Sequence, residues 1–282
     1  VTVSIKGYER SLDYTLNVLD DVKISSNNLD QKIMKQLLVT CLDGKALFDL
    51  YESQEKILNL MIESISCIRD FKNNYINTDD IKIEEKIGNI SETQLIRGTI
   101  LDKTIDSSAM PRSIDNPKIL LINESLETMK TKSESEIEIT SPEQMSQFLI
   151  QENTDLEILV KKIIDADIDV VISRKGVNDF VQEALAQKGI ITIRRVKYND
   201  LWWLEKATGA KTCKDIHKIS VDEIGYAKKI YEKIIGGDKM IFVEGVNPKS
   251  VTLLLRANSK RYLDELHRNA LNGFKVLKNF IE

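Results

Sequence analysis

The apolar residues of this chain follow a helical period at both ends and a different pattern in the middle. Near the start, Leu12, Leu16 and Leu19 recur three and four residues apart, which predicts a helix over 8–22. At the other end, 259–282 predict one long helix with a single apolar stripe. Because helical regions enclose the central pattern, we expect an α/β domain inserted into a mostly helical one. Two more N-terminal helices are predicted at 30–50 and 53–71.

The central part alternates between short strands and helices. Residues 119–122 are consecutive aliphatic residues, as expected for a strand buried on both faces. Strands are also predicted at 169–173 and 190–196, with helices at 177–187 and 200–208. Because helices of this length separate the strands, we expect parallel crossover connections.

Other strands do not fit the crossover pattern. Residues 81–84 alternate as a half-buried strand, and 95–101 and 251–255 are further strands. Residues 227–235 and 239–246 predict a β-hairpin, because Gly236-Gly237-Asp238 between them suits a tight turn.

Composition and charge exclude several classes of function. Forty basic residues against 44 acidic ones give the 282-residue chain a formal net charge of −4, which argues against nucleic-acid binding. No run approaches the ~20 apolar residues of a membrane-spanning helix. Three widely spaced cysteines and two histidines argue against disulfides and a zinc site. We expect a cytoplasmic protein with no metal, nucleic acid or membrane partner.

The residues on their own show no active site. The chain has neither a GxxxxGK[ST] loop nor a GxGxxG motif after a strand. No serine or cysteine lies in a nucleophile elbow, and neither His217 nor His267 has an evident triad partner. The plentiful acidic residues are scattered, as on a solvated surface.

One predicted helix, over 142–165, carries two separate apolar patches. The second patch, around Leu159, has the spacing of a helix packed on a sheet, whereas the first lies beyond the polar residues 151–155. The first patch is either a bent part of the core or an exposed surface for a partner. It consists of Met145, Phe148, Leu149 and Ile150.

Long strings of residues resemble the group II chaperonins, the family of the archaeal thermosome and the eukaryotic cytosolic chaperonin. They are collinear and span most of the chain. The strings are KIEEKIGNISETQLIRGTILDK (82–103), MPRSIDNPKILLINESLE (110–127), RKGVNDFVQEALAQKGIITIRRVKYND (174–200), KATGA (206–210), GGDKMIFVEG (236–245) and VTLLLRA (251–257).

The resemblance implies two of the family's three domains. Residues 1–86 and 257–282 resemble the intermediate (hinge) domain, and 87–256 resemble the apical domain, with a helical protrusion at about 131–155. This agrees with the insertion expected from periodicity. The family's GDGTT phosphate loop and equatorial ATPase domain would lie outside 1–282, which fits a fragment or a truncated paralogue.

The same resemblance implies where unfolded polypeptide would bind. The helical protrusion is the family's built-in lid, and clients meet apolar residues near its base and on the neighbouring helix. This favours a binding role for Met145, Phe148, Leu149 and Ile150. On the neighbouring helix the implied contacts are Val177, Phe180 and Val181, with Leu185 beside them. For Phe180 and Leu185, core packing is at least an equal alternative.

Two further positions are implied to face the nucleotide. Asn272 stands where the family has a hydrolytic aspartate, and an amide cannot accept a proton from water as a carboxylate does. A plain solvent-facing Asn is the alternative. Lys45, in TCLDGK (40–45), resembles the residue that senses the γ-phosphate. Arg256-Ala257-Asn258 replaces the family's Arg-Gly-Gly.

The resemblance implies a molecular chaperone: the apical and hinge part of an ATP-driven subunit in a double ring. This chain should hold no cofactor, since ATP and Mg²⁺ bind the equatorial domain, and alone it should not act as an ATPase. Two alternatives are a chaperonin-like adaptor that does not hydrolyse ATP, and a stand-alone α/β enzyme for a small molecule.

Overall fold

The computed structural model describes residues 2–23, 31–42, 51–70, 75–127, 142–214 and 216–281. Within them, the side chains at 2, 51–53, 142–153 and 217 are outside the description.

Seven α-helices and ten β-strands make up the described residues. The helices are α1 (Thr2–Val22), α2 (Gln31–Leu42), α3 (Tyr51–Ile68), α4 (Pro142–Asp165), α5 (Asp179–Gln187), α6 (Tyr198–Thr208) and α7 (Lys260–Ile281). The strands are β1 (Ile81–Ile87), β2 (Gln94–Ile96), β3 (Gly98–Leu101), β4 (Ser113–Asp115), β5 (Lys118–Ile122), β6 (Val170–Ser173), β7 (Ile191–Ile193), β8 (Gly225–Ile235), β9 (Asp238–Gly245) and β10 (Val251–Ala257).

A small three-stranded sheet belongs to the helical part of the chain. Its order is β1-β10-β2; β1 runs parallel to β10, with Ile81 opposite Val251, and β2 runs antiparallel to it. The apolar sides of α2, α3 and α7 pack on this sheet and form one hydrophobic core. Helices α2, α3 and α7, from both sides of the α/β region in the sequence, therefore share one core with this sheet, whereas every described side chain of α1 is exposed. The domain ranges 1–86, 87–256 and 257–282 stay a prediction.

The larger, seven-stranded sheet forms the inserted α/β unit. Its strand order is β3-β9-β8-β5-β6-β7, with β4 also paired to β8. Strands β5, β6 and β7 are parallel neighbours, which confirms the predicted crossover connections. Helices α4 and α5 pack on one face, and α6 packs on the other. The mixed α/β fold class is confirmed.

The predicted hairpin is confirmed as β8 and β9. These strands pair antiparallel up to Ile235 and Asp238. Gly236 and Gly237 connect them with φ angles of 62° and 93°, a conformation that glycine adopts at little cost.

The single strand predicted over 95–101 is wrong, because the chain changes sheets in its middle. Strand β2 pairs with β10, whereas β3 pairs with β9 of the larger sheet. Gly98, at φ 148°, begins the second strand, and a Cβ atom there would lie 2.0 Å from the Val243 carbonyl oxygen. Glycine therefore allows the close approach at this crossing point.

Candidate functional site

Helix α5 begins at a capped end beside the parallel strands. The Asn178 side-chain oxygen accepts a hydrogen bond from the Phe180 backbone N–H at 2.8 Å. The Asn178 N–H in turn donates to the Leu126 carbonyl at 2.9 Å, which ties this end to the loop after β5. This cap satisfies a free N–H of the first turn and fixes the position of Phe180.

The predicted contact residues in α5, and Val177 two residues before it, differ in their exposure. Val177 and Val181 are buried against the α4 side chains Leu156 and Leu159. Phe180 lies on the other side of the helix and is 43% exposed. Phe180 therefore stays in contact with solvent, whereas the two valines pack in the core; a client-binding role for the three residues stays a prediction. Leu185 is buried in the same cluster.

The first apolar patch of α4 lies within a helix but outside the described side chains. Helix α4 begins at Pro142, as predicted. The side chains of Met145, Phe148, Leu149 and Ile150 are among those that the structure does not describe. Their assignment to a binding surface stays a prediction. Most of the predicted protrusion, 131–155, also lies outside the described residues or side chains, so its assignment stays a prediction.

Sequence reasoning missed two residues in the segments that follow β6 and β7, Arg174 and Tyr198. Tyr198, the first residue of α6, is 65% exposed. The Arg174 guanidinium carbon lies 5.3 Å from the centre of its ring, a cation–π geometry. The signal that could have found them is their position in the segments that follow β6 and β7, since parallel strands bring their carboxyl ends together.

The polar side of helix α7 lies on the surface. The apolar stripe, including Phe274 and Leu277, is buried in the helical core. The exposed stripe consists of Arg268, Asn272, Lys275 and Asn279. The hydrolytic role implied for this position of Asn272 stays a prediction, and Lys45 lies outside the described residues.

A buried ionic network joins the helical unit to the α/β unit. The ammonium of Lys82, on β1, donates to Asp200 Oδ1 of α6 at 2.7 Å and to the Ile100 carbonyl of β3 at 2.6 Å. Lys82 also lies 3.6 Å from Glu84 Oε2 and 5.1 Å from the centre of the Trp203 ring. Burial raises the pKa of Glu84, although Lys82 opposes the shift. Strand β1, expected to be half-buried, thus has its polar face covered by α6.

Neither a metal centre nor a membrane-spanning segment emerges from the described residues. No group of three His, Cys, Asp or Glu side chains among them is arranged to hold a metal ion. Among the same residues, no helix is long and apolar enough to cross a bilayer.

Comparison with known sequences relates the whole chain to one family. The model of the TCP-1/cpn60 chaperonin family matches residues 1–282. A thermosome subunit of Pyrococcus horikoshii is 36% identical over 285 residues, covering 100% of this chain and 51% of that protein. A thermosome subunit beta of Thermococcus kodakarensis is also 36% identical, with 52% of its length covered. The chain spans about half the length of the curated relatives it matches.

A solved structure has the same fold. The open-state monomer of a group II chaperonin from Methanococcoides burtonii superposes with a TM-score of 0.73 at 26% sequence identity. The match covers 98% of this chain and 63% of that one.

Proposed function

Because the chain belongs to the TCP-1/cpn60 chaperonin family, we propose that it is the client-binding and hinge part of a molecular chaperone subunit. The exposed ring of Phe180 is the observation that carries this proposal. It projects from a capped helix whose opposite side is fully buried. An apolar ring in contact with water on a capped helix is what a non-native polypeptide can bind, since both sides then bury apolar surface.

The first apolar patch of α4 completes the proposed binding surface. Met145, Phe148, Leu149 and Ile150 share one helix with the core residues Leu156 and Leu159, which anchor its C-terminal half. In this proposal, the N-terminal half of α4 belongs to the protrusion that forms a lid over the client. Val177 and Val181 position Phe180 by packing.

The remaining parts of the proposal concern the full-length protein. ATP and Mg²⁺ would be held by a nucleotide-binding domain outside residues 1–282, and the subunits would assemble into a double ring in the cytoplasm. The hinge would transmit nucleotide-driven movement to the client site. The Lys82–Asp200 pair supports this role, because it couples β1 of the helical unit to α6 of the α/β unit.

A second candidate function is a chaperonin-like adaptor that binds clients without hydrolysing ATP. Asn272 favours it, because the amide lies on the exposed stripe of α7 where a carboxylate would be needed as a general base.

An aggregation assay tests the proposed function. The 282-residue chain should suppress aggregation of a chemically denatured client without ATP. A triple change of Met145, Phe148 and Leu149 to Ser should weaken the suppression and leave the melting temperature nearly unchanged. Leu159→Ser is the matched control on the same helix; it removes a buried side chain and should lower the melting temperature. Wild-type protein that fails to suppress aggregation would contradict the proposal.

A further inference from the structure

Four cationic residues meet at one edge of the larger sheet. Arg174 and Lys175 directly follow β6, and Arg195 and Lys197 follow β7. The two strands are parallel neighbours, so their carboxyl ends lie side by side. The Arg195 N–H donates to the Lys175 carbonyl at 3.0 Å, which holds the two loops together. We call these four residues the basic edge.

The charge of the basic edge is not neutralised within the described part of the chain. All four side chains are exposed, and no described carboxylate lies within salt-bridge distance of any of them. The nearby carboxylates of Asp106 and Asp179 both pair with a fifth cation, Arg194, at 3.0 and 3.1 Å. Asp200 is held by Lys82.

The described part of the loop after β5, up to residue 127, carries two further carboxylates. Glu127 accepts a hydrogen bond from the Ser125 hydroxyl at 3.0 Å, and Glu124 precedes it. Among the described residues, these four cations and Arg194 outnumber the four carboxylates Asp106, Asp179, Glu124 and Glu127, so the edge keeps a small excess of positive charge although the whole chain carries −4. A localised positive field of this kind attracts acidic partners.

Two exposed aromatic residues belong to the segments that follow β6 and β7. Tyr198 stacks with Arg174 of the basic edge, and Phe180 follows the same loop into α5. The Arg194–Asp179 ion pair links the end of β7 to the residue before Phe180. A partner that satisfies both the rings and the cations must offer apolar side chains next to carboxylates.

We propose that the basic edge selects client segments in which Asp or Glu flank aromatic or aliphatic residues. The inference rests on the proposed client-binding function and names the class of segment that binds. Apolar contact with Phe180 and Tyr198 holds the segment, and the cations select it by charge. Charge complementarity of this kind acts mainly through the rate of association and weakens with salt.

Binding of three labelled peptides to the 282-residue chain tests the inference. The peptides are unstructured and share the same apolar residues, with Glu, Ser or Lys at the flanking positions. The Glu peptide should bind about tenfold more tightly than the Lys peptide at low salt, and the difference should shrink at high salt. The double charge reversal Lys175→Glu/Lys197→Glu should remove or invert this preference.

A matched charge reversal elsewhere on the surface tests whether the peptide preference depends on the position of the charges or on the total charge. Lys188 and Lys211 are exposed, and Lys188 precedes β7, at the opposite end of that strand from the basic edge. Lys188→Glu/Lys211→Glu changes the net charge equally and should leave the peptide preference intact.

The possible failures are distinguishable. If all three peptides bind equally and neither reversal changes this, the charge selection is overturned while the client-binding function stands. If no peptide binds, the proposed function itself fails. If an oligouridylate binds more tightly than the Glu peptide and loses binding on Lys175→Glu/Lys197→Glu, the edge is a nucleic-acid surface and the inference is overturned.

Discussion

The ammonium of Lys82 lies 2.7 Å from Asp200 Oδ1, although the two residues are 118 positions apart in the sequence. Lys82 is only 7% exposed and also donates to the Ile100 carbonyl. Because Lys82 is on β1 and Asp200 is on α6, the pair joins the helical unit to the α/β unit. Trp203 and Ser250 extend this junction, since the Ser250 hydroxyl donates to the Trp203 carbonyl at 3.0 Å.

Replacing Lys82 with Met should destabilise the protein strongly. The change leaves the Asp200 carboxylate buried without its cation, and breaking a buried ion pair in this way costs about 3–5 kcal/mol. Urea denaturation measures the loss. Lys229→Met, which breaks the exposed pair with Asp115, is the control and should cost less than ~1 kcal/mol. Equal losses in the two variants would show that the buried pair does not hold the units together.

Substitution by serine at two neighbouring residues of α5 should affect different properties: stability at Val181 and client binding at Phe180. Val181→Ser removes a fully buried side chain and introduces an unpaired hydroxyl, so it should destabilise by on the order of 2–4 kcal/mol. Phe180→Ser should change stability by at most ~1 kcal/mol and weaken binding of a denatured client. Thermal melts and client titrations separate the effects. A Phe180→Ser variant that melts far lower and binds clients normally would show that Phe180 packs in the core and does not bind clients.

Local sequence patterns predicted most elements of the fold. Some elements depend only on residues that are close together in the chain, and these could be predicted from the sequence. They are the aliphatic strand β5, the helices between β5, β6 and β7, and the Gly236-Gly237 turn. The chain crossing at Gly98 was not, because it depends on the approach of Val243 from another strand. The burial of Lys82 was missed for the same reason.

The candidate site was predictable only in part. The spacing of Val177, Phe180 and Val181 places them on one helix, but it cannot tell which side faces the sheet. The contacts of α5 with α4 decide this, and they bury the valines and leave Phe180 exposed. The basic edge required knowing that β6 and β7 are direct neighbours.

The contact between β1 and α7 should make stability depend on pH through Glu85. Its carboxylate accepts a hydrogen bond from Lys260 at 2.6 Å and pairs with the His267 ring. Burial opposes ionisation of Glu85, but these two partners outweigh it and hold its pKa below the ordinary value of 4.5. The stabilisation is therefore complete above the unfolded-state pKa and is lost as the pH falls through the lower folded-state pKa.

Glu85→Gln should accordingly be less stable than wild type at pH 7, and this deficit should be smaller at about pH 3. Glu84→Gln is the matched control with the opposite sign. Burial raises the pKa of Glu84, so its ionised form is disfavoured in the fold. The stability of Glu84→Gln relative to wild type should therefore be higher at pH 7 than at about pH 3. Urea denaturation at the two pH values measures both. A deficit of Glu85→Gln that does not change with pH would contradict the assignment.

In the full-length subunit, Asn272→Asp should accelerate ATP hydrolysis. Asn272 is exposed on α7, and gaining a general base contributes typically ~10²–10⁴-fold. Asn279→Asp adds the same charge two turns further along the same stripe and should leave the rate unchanged. Steady-state hydrolysis by assembled rings measures both. Equal rates in wild type and Asn272→Asp would refute the hydrolytic role of this position.

Recognition of non-native polypeptide by this chain is the property on which the proposed function depends most. A direct measurement is a fluorescence titration of one labelled client, in its unfolded and its folded form, with the 282-residue chain in the absence of nucleotide. We predict saturable binding of the unfolded form, at least about tenfold tighter than that of the folded form, because only the unfolded form offers apolar segments to Phe180 and α4. Equal affinity for the two forms, or no saturable binding of either, would contradict the account.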